Sequence, residues 1–336
     1  MSVTSLGDLA QSFMLRRQNL QVRQEVNRLT EELTTGRSAD LSARLSGDYA
    51  YLSDIERSLG LIQGYRTSVA EAGVFTGAMQ TALERLQTVS SSLSRSIIDG
   101  LGGGLPAVQA IGTQAATDAF EQIVASLNTR AAGRSLFAGN ATDRPAVAAA
   151  EVLLSELRAT IASQTSVEGV RVAVDQWFES PSGGFETLGY TGSNDGLAPY
   201  RLDRQGTVDL DLRGNSPALK EVLKQVSLAV LAGDTGLPLT DLQRTDLLRS
   251  AGEGLLGAQD RLTSLRADLG FAEARIEEGR VRLASEKTSL ELARNALLSV
   301  DPFDSATQLE NAQSQLESLY AVTVRLSRLS LSEFMR

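Results

Sequence analysis

Leu262, Leu269, Ile276, Leu283, Leu290 and Leu297 recur every seven residues without a break. Apolar residues held in that phase form one stripe of a long α-helix, and such a stripe has to be buried in a coiled coil or bundle. At about 1.5 Å per residue, the stretch from Leu262 to Leu297 extends roughly 50 Å. The paired seam positions Leu265, Ala272, Gly279, Glu286, Ala293 and Val300 are mixed and mostly small, which favours close approach of neighbouring helices. Glu286 breaks the pattern and is expected at an edge or beside an arginine. Asp301-Pro302 closes this helix. The residue before a proline is steered out of the helical region, and proline suits the first turn of a new helix capped by Asp301. The next helix carries Leu309, Ala312, Leu316, Leu319, Val322, Leu326 and Leu329 at steps of three and four.

The N-terminal part has matching stripes. Val22, Val26, Leu29 and Leu33 form one, ending at Gly36, a favourable helix terminator. Leu52, Ile55, Leu59, Ile62 and Val69 form a second, which Met79, Leu83, Leu86, Leu93 and Ile97 carry onward. A turn at 100–106 and a helix from about residue 107 to 131 follow. The middle differs: five of the seven prolines and the one tryptophan fall between Pro145 and Thr240. The expected organisation is therefore three regions: an N-terminal helical region (1–140), a central α+β insert (141–240) and a C-terminal helical region (241–336). The fold class is mainly α, with the two ends forming a long helical bundle or coiled coil. Within the insert, Glu151 to Ser163 and Pro217 to Leu231 read as helices, and Ser182 to Pro199 as turns. Gly169 to Trp177 fits either a strand or part of a helix. Residues 200–202 and 208–212 flank a turn and read as a β-hairpin.

Composition removes whole classes of chemistry. The 336 residues include no Cys and no His. That excludes disulfides, thiolate nucleophiles, Ser-His-Asp triads and the usual zinc ligands. The net charge of −9 argues against a nucleic-acid partner. No apolar run reaches the roughly 18 residues needed to span a bilayer, and the start lacks a Sec signal pattern; neither membrane insertion nor a cleaved leader is expected.

The remaining candidates for chemistry each have a plainer reading. Asp209 and Asp211 alternate on a strand and could bind a hard cation, but the stronger reading is a solvated strand face with Val208, Leu210 and Leu212 turned inward. Asn194-Asp195-Gly196 lacks the spacing of a calcium loop, and Gly100 to Gly104 lacks a phosphate-loop pattern. Asn140-Ala141-Thr142 matches only the three-residue glycosylation pattern. Glu277, Glu278 and Glu286 lack the histidines that accompany bundle metal sites. No catalytic residue, cofactor or metal is expected. The terminal apolar stripe must find a partner, within the chain, between subunits of a polymer, or both.

Four stretches resemble a known family. Leu33-Thr34-Thr35-Gly36-Arg37 is similar to the ending of the first helix in the flagellin superfamily. Arg134-Ser135-Leu136-Phe137-Ala138-Gly139 resembles the segment closing the N-terminal region in its hook–filament junction proteins, the hook-associated protein 3 type. Ser285 to Leu297 resembles the approach to the last hinge. Val300-Asp301-Pro302-Phe303-Asp304, with Leu319-Tyr320-Ala321-Val322-Thr323 and Leu329-Ser330-Leu331, resembles the C-terminal tail. The tail lacks the Gln-Ala-rich pattern of ordinary flagellins, which favours the junction type.

The resemblance implies a non-enzymatic adaptor of the bacterial flagellum. It would leave the cell through type III export and join the other hook-associated junction protein to flagellin. Its partners would be those two proteins, further copies in a ring, and an export chaperone holding the C-terminal region. Leu309, Leu316, Leu319, Val322, Leu326 and Leu329 are the expected contacts, with Val22, Val26, Leu29 and Leu33 as their N-terminal partners. A filament flagellin is the first alternative. A cytoplasmic coiled-coil scaffold or carboxylate-based enzyme is the alternative from another class.

Overall fold

In a computed structural model, residues 4–101 and 110–334 are described. The helices are α1 (Thr4–Thr35), α2 (Leu41–Arg44), α3 (Ala50–Gly100), α4 (Ala116–Leu127, preceded by a π-turn at Ile111–Ala115), α5 (Ala150–Ile161), α6 (Val167–Glu179), α7 (Pro217–Ala232), α8 (Asp241–Leu298) and α9 (Pro302–Phe334). Among the described residues the strands are short. β1 (Arg130–Ala131) pairs with β2 (Arg134–Ser135), and β3 (Tyr200–Arg201) pairs with β4 (Thr207–Val208), both antiparallel. The fold is mainly α with small β content. Two compact units form: one from residues 1–62 with 284–336, the other from residues 63–283.

The larger unit contains the insert and the helix stretches that flank it. Its frame is α3 against α8. The sevenfold series on α8 begins earlier than the sequence reading placed it. Leu248, Leu255, Leu262, Leu269, Ile276 and Leu283 are all buried. On α3, Val69, Thr76, Leu83, Ser90 and Ile97 keep the same period and are also buried. Thr76 and Ser90 are tolerated on the seam because their hydroxyls are bonded. Thr76 donates to the Ala72 carbonyl at 3.1 Å, and Ser90 accepts from Gln259 Nε2 at 2.9 Å. The helices run antiparallel, since Ser94 donates to the Gly252 carbonyl at 2.9 Å while Gln80 donates to that of Arg266 at 2.9 Å. Gly252 has to be glycine: a Cβ there would meet Ile97 Cγ2 at 2.7 Å. Gly279, expected to admit a second helix, instead faces Leu202 of the β3–β4 turn, 3.4 Å from its would-be Cβ.

The insert packs its aromatics together. Trp177, Phe178 and Phe185 have ring centroids 4.7 to 6.0 Å apart. The ambiguous stretch around Val170 is helix α6. Ser166 caps it by accepting from the Gly169 amide at 3.1 Å, and Val170, Val174 and Phe178 fall on one buried stripe. The expected hairpin forms, with Val208, Leu210 and Leu212 inward and Asp209 and Asp211 outward. In the β1–β2 turn both Ala132 and Gly133 have positive φ, as a two-residue I′ turn requires. The chain then turns inward and buries Leu136, Phe137 and Ala138.

Two of the three lysines lie here, Lys224 buried and Lys220 half-buried. Lys224 lies 3.0 Å from Asp175, 3.6 Å from Glu179 and 3.0 Å from Glu221, joining α6 to α7. Lys220 reaches Glu186 at 3.2 Å. Arg244, also buried, donates to the carbonyls of Ala232 and Leu237 and so satisfies the C-terminal end of α7. Burial raises the carboxyl pKa of Glu221, but hydrogen bonds from Gln225 and Lys224 outweigh it and hold the pKa below its ordinary value. Burial lowers the pKa of Lys224, and its bonds to Asp175 and Glu221 reverse this, leaving it raised.

Two outcomes are expected. Leu83→Ala should cost about 2–5 kcal/mol of unfolding free energy, while Leu256→Ala, half exposed on α8, should stay within about 0.5 kcal/mol; urea titration of the full chain measures both. The Lys224 cluster contributes most between the ordinary carboxylate and lysine ranges. Its depressed Glu221 loses that contribution as pH falls through the folded carboxyl value. Its raised Lys224 loses its share as pH rises through the folded lysine value. In Lys224→Met three carboxylates lose the cation they share, and only Glu179, near Lys220 at 3.9 Å, and Glu221, near Arg261 at 3.5 Å, keep another, so stability should fall, not rise, between pH 4 and about pH 7. A pH series of urea midpoints distinguishes the two behaviours.

Candidate functional site

The smaller unit is built from the chain ends, and its features are all interhelical. α1 and α9 pack together. Val22 and Leu29, seven residues apart, are buried on α1; Ser305, Ala312 and Leu319 are buried at the same spacing on α9. Val26, Leu309, Leu316 and Leu326 are half-buried beside them. The pairing is antiparallel: Arg23 donates to the Tyr320 hydroxyl through Nε at 3.0 Å and Nη2 at 2.6 Å. All ten residues singled out from the sequence therefore lie on these two helices, seven of them along this seam. Leu329 has a side chain outside the described residues.

Two residues lie off the seam. Leu33 is 40% exposed and Val322 is 45% exposed. On α1 the covered step from Leu29 is the three-residue one to buried Glu32, not the four-residue one to Leu33. On α9 the seven-residue period selects Leu319 and Leu326, not Val322. Other apolar side chains also face outward on this pair, among them Phe13, Met14, Leu20, Tyr320 and Val324, and Phe303 at the start of α9 is 78% exposed.

The base of the pair is a joint that the stripes alone did not reveal. α1 ends at Thr35, and Gly36 takes φ +69°, a left-handed conformation that ends the helix as expected. The strand-like Arg37 pairs with Ser299 beyond α8. The Ser38 amide donates to the Leu298 carbonyl at 2.8 Å, and the Val300 amide donates to the Gly36 carbonyl at 3.2 Å. Arg44 on α2 donates to the Leu297 carbonyl at 3.1 Å. On the other side of the break, Asp301 accepts from the Phe303 amide at 2.8 Å, which is the cap expected of Asp-Pro. The turns after α1 and α8 are thus tied backbone to backbone, which sets where α1 and α9 begin to run side by side.

Glu32 completes the joint. It is buried and accepts from Arg28 Nη1 at 2.8 Å and from the Ala39 amide at 3.0 Å. Arg28 also grips Glu25, which lowers the Glu25 pKa chiefly through that hydrogen bond. Asp40 is likewise lowered, by the Ala43 amide and then the Ser42 hydroxyl. Nothing in the apolar pattern pointed to Glu32. The available signal was its seven-residue spacing from Glu25 on the seam side of α1.

The residues weighed for metal or anion chemistry are dispersed. Asp211 pairs with Arg213 at 3.0 Å and Glu277 with Arg280; Glu286 is exposed. The glycine run falls mostly on residues 102–109, outside those described. Among the described residues no group of three or more acidic side chains is arranged to hold a metal ion. No described helix is long and apolar enough to cross a membrane. The arrangement offers helix faces to other helices.

Residues 255–335 match the bacterial flagellin C-terminal helical region. The crystal structure of Bacillus cereus FlgL superposes with a TM-score of 0.53 at 14% identity, covering 72% of this chain and 100% of that one. A flagellar hook-associated protein from Vibrio parahaemolyticus is similar over 73% of this chain and 99% of its own, at 14% identity and a TM-score of 0.42. No curated protein sequence matches. The C-terminal helical region is thus similar to that of bacterial flagellins, and the fold is similar to that of FlgL.

The joint is open to a direct test. Gly36→Ala places a Cβ on a left-handed residue, at a cost of about 1–2 kcal/mol. Amide exchange at Ser38 and Val300 should accelerate, while exchange at Leu83 and Leu262 stays unchanged. Hydrogen-exchange mass spectrometry of the full chain reads both sets of peptides.

Proposed function

We propose that this chain is a structural adaptor of the bacterial flagellum, lying between another hook-associated junction protein and the flagellin filament. The observation that carries the reading is the surplus of apolar side chains on the α1–α9 pair. The seam between the two helices already takes Val22, Leu29, Ala312 and Leu319. Leu20, Leu33, Val322 and Val324 remain outward on the same helices. Apolar faces left over on a helix pair are what a polymer buries between subunits. Val22, Val26, Leu29, Leu309, Leu316, Leu319 and Leu326 then hold the pair together. Leu33 and Val322, with Leu329, meet neighbouring copies.

Under this reading copies associate in a ring, and an export chaperone covers the C-terminal region beforehand. Type III export delivers the chain to the outside of the cell. Function rests on surface complementarity and needs no catalytic group. The similarity to FlgL over that protein's whole length supports the adaptor reading over a filament flagellin.

Removing residues 302–336 deletes α9 and its face. The truncated chain should retain the larger folded unit but fail to enter flagella, and cells carrying only that form should shed filament subunits and lose motility. Full-length filaments grown on the truncated chain would overturn the adaptor reading. Polymerisation of the intact chain by itself on filament seeds would favour a filament subunit instead.

A further inference from the structure

The α1–α9 pair is polarised in charge along its length. No acidic residue falls between Asp8 and Glu25 on α1 or between Glu317 and Glu333 on α9, while Arg16, Arg17, Arg23, Arg325 and Arg328 do. The Arg23–Tyr320 contact sets these two stretches side by side, at the end away from the joint. Toward the joint the sign reverses. Asp301, Asp304, Glu310 and Glu317 have no basic residue among them, and α1 carries Glu25, Glu31 and Glu32 against Arg28 alone. Arg28 is taken by Glu25 and Glu32. At the joint itself Arg37 and Arg44 donate to Asn295 and to the Leu297 carbonyl. The outer charges are unspent. Arg16, Arg17 and Arg325 at one end, and Glu31, Asp304, Glu310 and Glu317 at the other, are exposed, and none of these side chains has an ion pair or hydrogen bond. Each end also shows apolar side chains: Phe13, Met14 and Leu20 near the arginines, Leu33 and Phe303 near the carboxylates.

Arg17, Gln24 and Glu31 stand seven residues apart on one exposed line of α1. The helix between Arg17 and Glu31 spans about 21 Å, roughly two Debye lengths at physiological salt. The two ends therefore act as separate patches of opposite sign and do not neutralise each other. Two copies lying parallel and level would set arginine against arginine. Slid by two heptads, they set the arginines of one against the carboxylates of the next. We infer that copies of this chain associate through their α1–α9 pairs with an axial offset of about 20 Å, the basic end of one pair lying on the acidic end of its parallel neighbour. The occupant follows from the complement: both signs and the apolar side chains between them belong to the same pair, so each copy supplies what the next one lacks. An anionic lipid surface would satisfy the basic end alone and leave Glu31, Asp304, Glu310 and Glu317 without a role. The parallel course rests on the self-association in the proposed function; the charge match does not.

The absence of cysteine permits single-site probes. Ala10→Cys and Gln24→Cys, both exposed and on the same line as Arg17, are made in separately tagged full chains, mixed at high concentration and treated with a short bismaleimide. The offset brings residue 10 of one copy level with residue 24 of the next, so the mixed product should exceed either self-linked product at least fivefold. Arg16→Glu with Arg17→Glu in both chains should lower the mixed product at least fivefold. Glu31→Arg with Glu310→Arg and Glu317→Arg in both chains should do the same. Placing the first set on the Ala10→Cys chain and the second on the Gln24→Cys chain should restore it. Circular dichroism of each variant checks the fold. An excess of self-linked Gln24→Cys chain, which a level or an antiparallel pair gives, would overturn the inference. So would a yield indifferent to the reversals, no restoration by the split sets, or no chain–chain product at all. Charge-dependent sedimentation with phosphatidylglycerol vesicles in place of chain–chain products would assign the face to lipid and overturn it too. The same cross-linking is run on sheared flagella. A charge-dependent mixed product in purified protein, with the chain absent from flagella, would sink the adaptor reading and leave the offset contact standing. The chain present in flagella, with products indifferent to the reversals, would do the opposite.

Discussion

A helix of 58 residues with one apolar stripe is not stable in water until that stripe is covered, and this requirement organises the rest of the chain. In the larger unit the cover is α3, whose buried residues keep the same seven-residue period and whose polar seam residues find hydrogen bonds. In the smaller unit the same rule pairs α1 with α9. Each buried leucine on these seams is worth about 1.5–3 kcal/mol. The repeated seam, more than any single contact, therefore commits the chain to long paired helices.

Long helices leave little room for pockets, and the molecule places its polar and aromatic chemistry elsewhere. The insert gathers the Trp177 cluster and the paired lysines, both of which stabilise short helices that are too brief to hold by themselves. The scarcity of lysine acquires a partial meaning here. Lys220 and Lys224 sit in a crowd of carboxylates on α6 and α7, where a compact ammonium can meet several partners at once. Arginine takes the planar tasks, such as Arg244 reaching the carbonyls of Ala232, Asp234 and Leu237 where α7 ends, and Arg28 bridging Glu25 and Glu32.

Much of the helical framework was legible in the residues. The stripe from Leu262, the break at Asp301-Pro302, the terminator at Gly36 and the hairpin near Tyr200 all form, because each depends on local steric rules that a short stretch of sequence satisfies by itself. The Val170 stretch stayed ambiguous because three alternating valines fit two periods; the Ser166 cap and the stripe through Phe178 decide for helix. At the terminal pair, the seam was legible to within a residue. Leu33 and Val322 were drawn in because a three-and-four step from either neighbour reaches them equally well. Only the partner helix selects which neighbour is covered.

By itself, the sequence determined the class of object: paired amphipathic helices around an insert, with no thiol or imidazole to act as a catalyst. That much follows from periodicity and composition, which are local. The tertiary structure decided what no local rule contains. It ties the turn after α1 to the turn after α8 through the Gly36–Val300 and Ser38–Leu298 hydrogen bonds, buries Glu32 beneath that tie, and turns Gly279 toward Leu202 instead of a second helix. These contacts join residues up to some 260 positions apart, and their energy exists only once the chain has brought the two ends together.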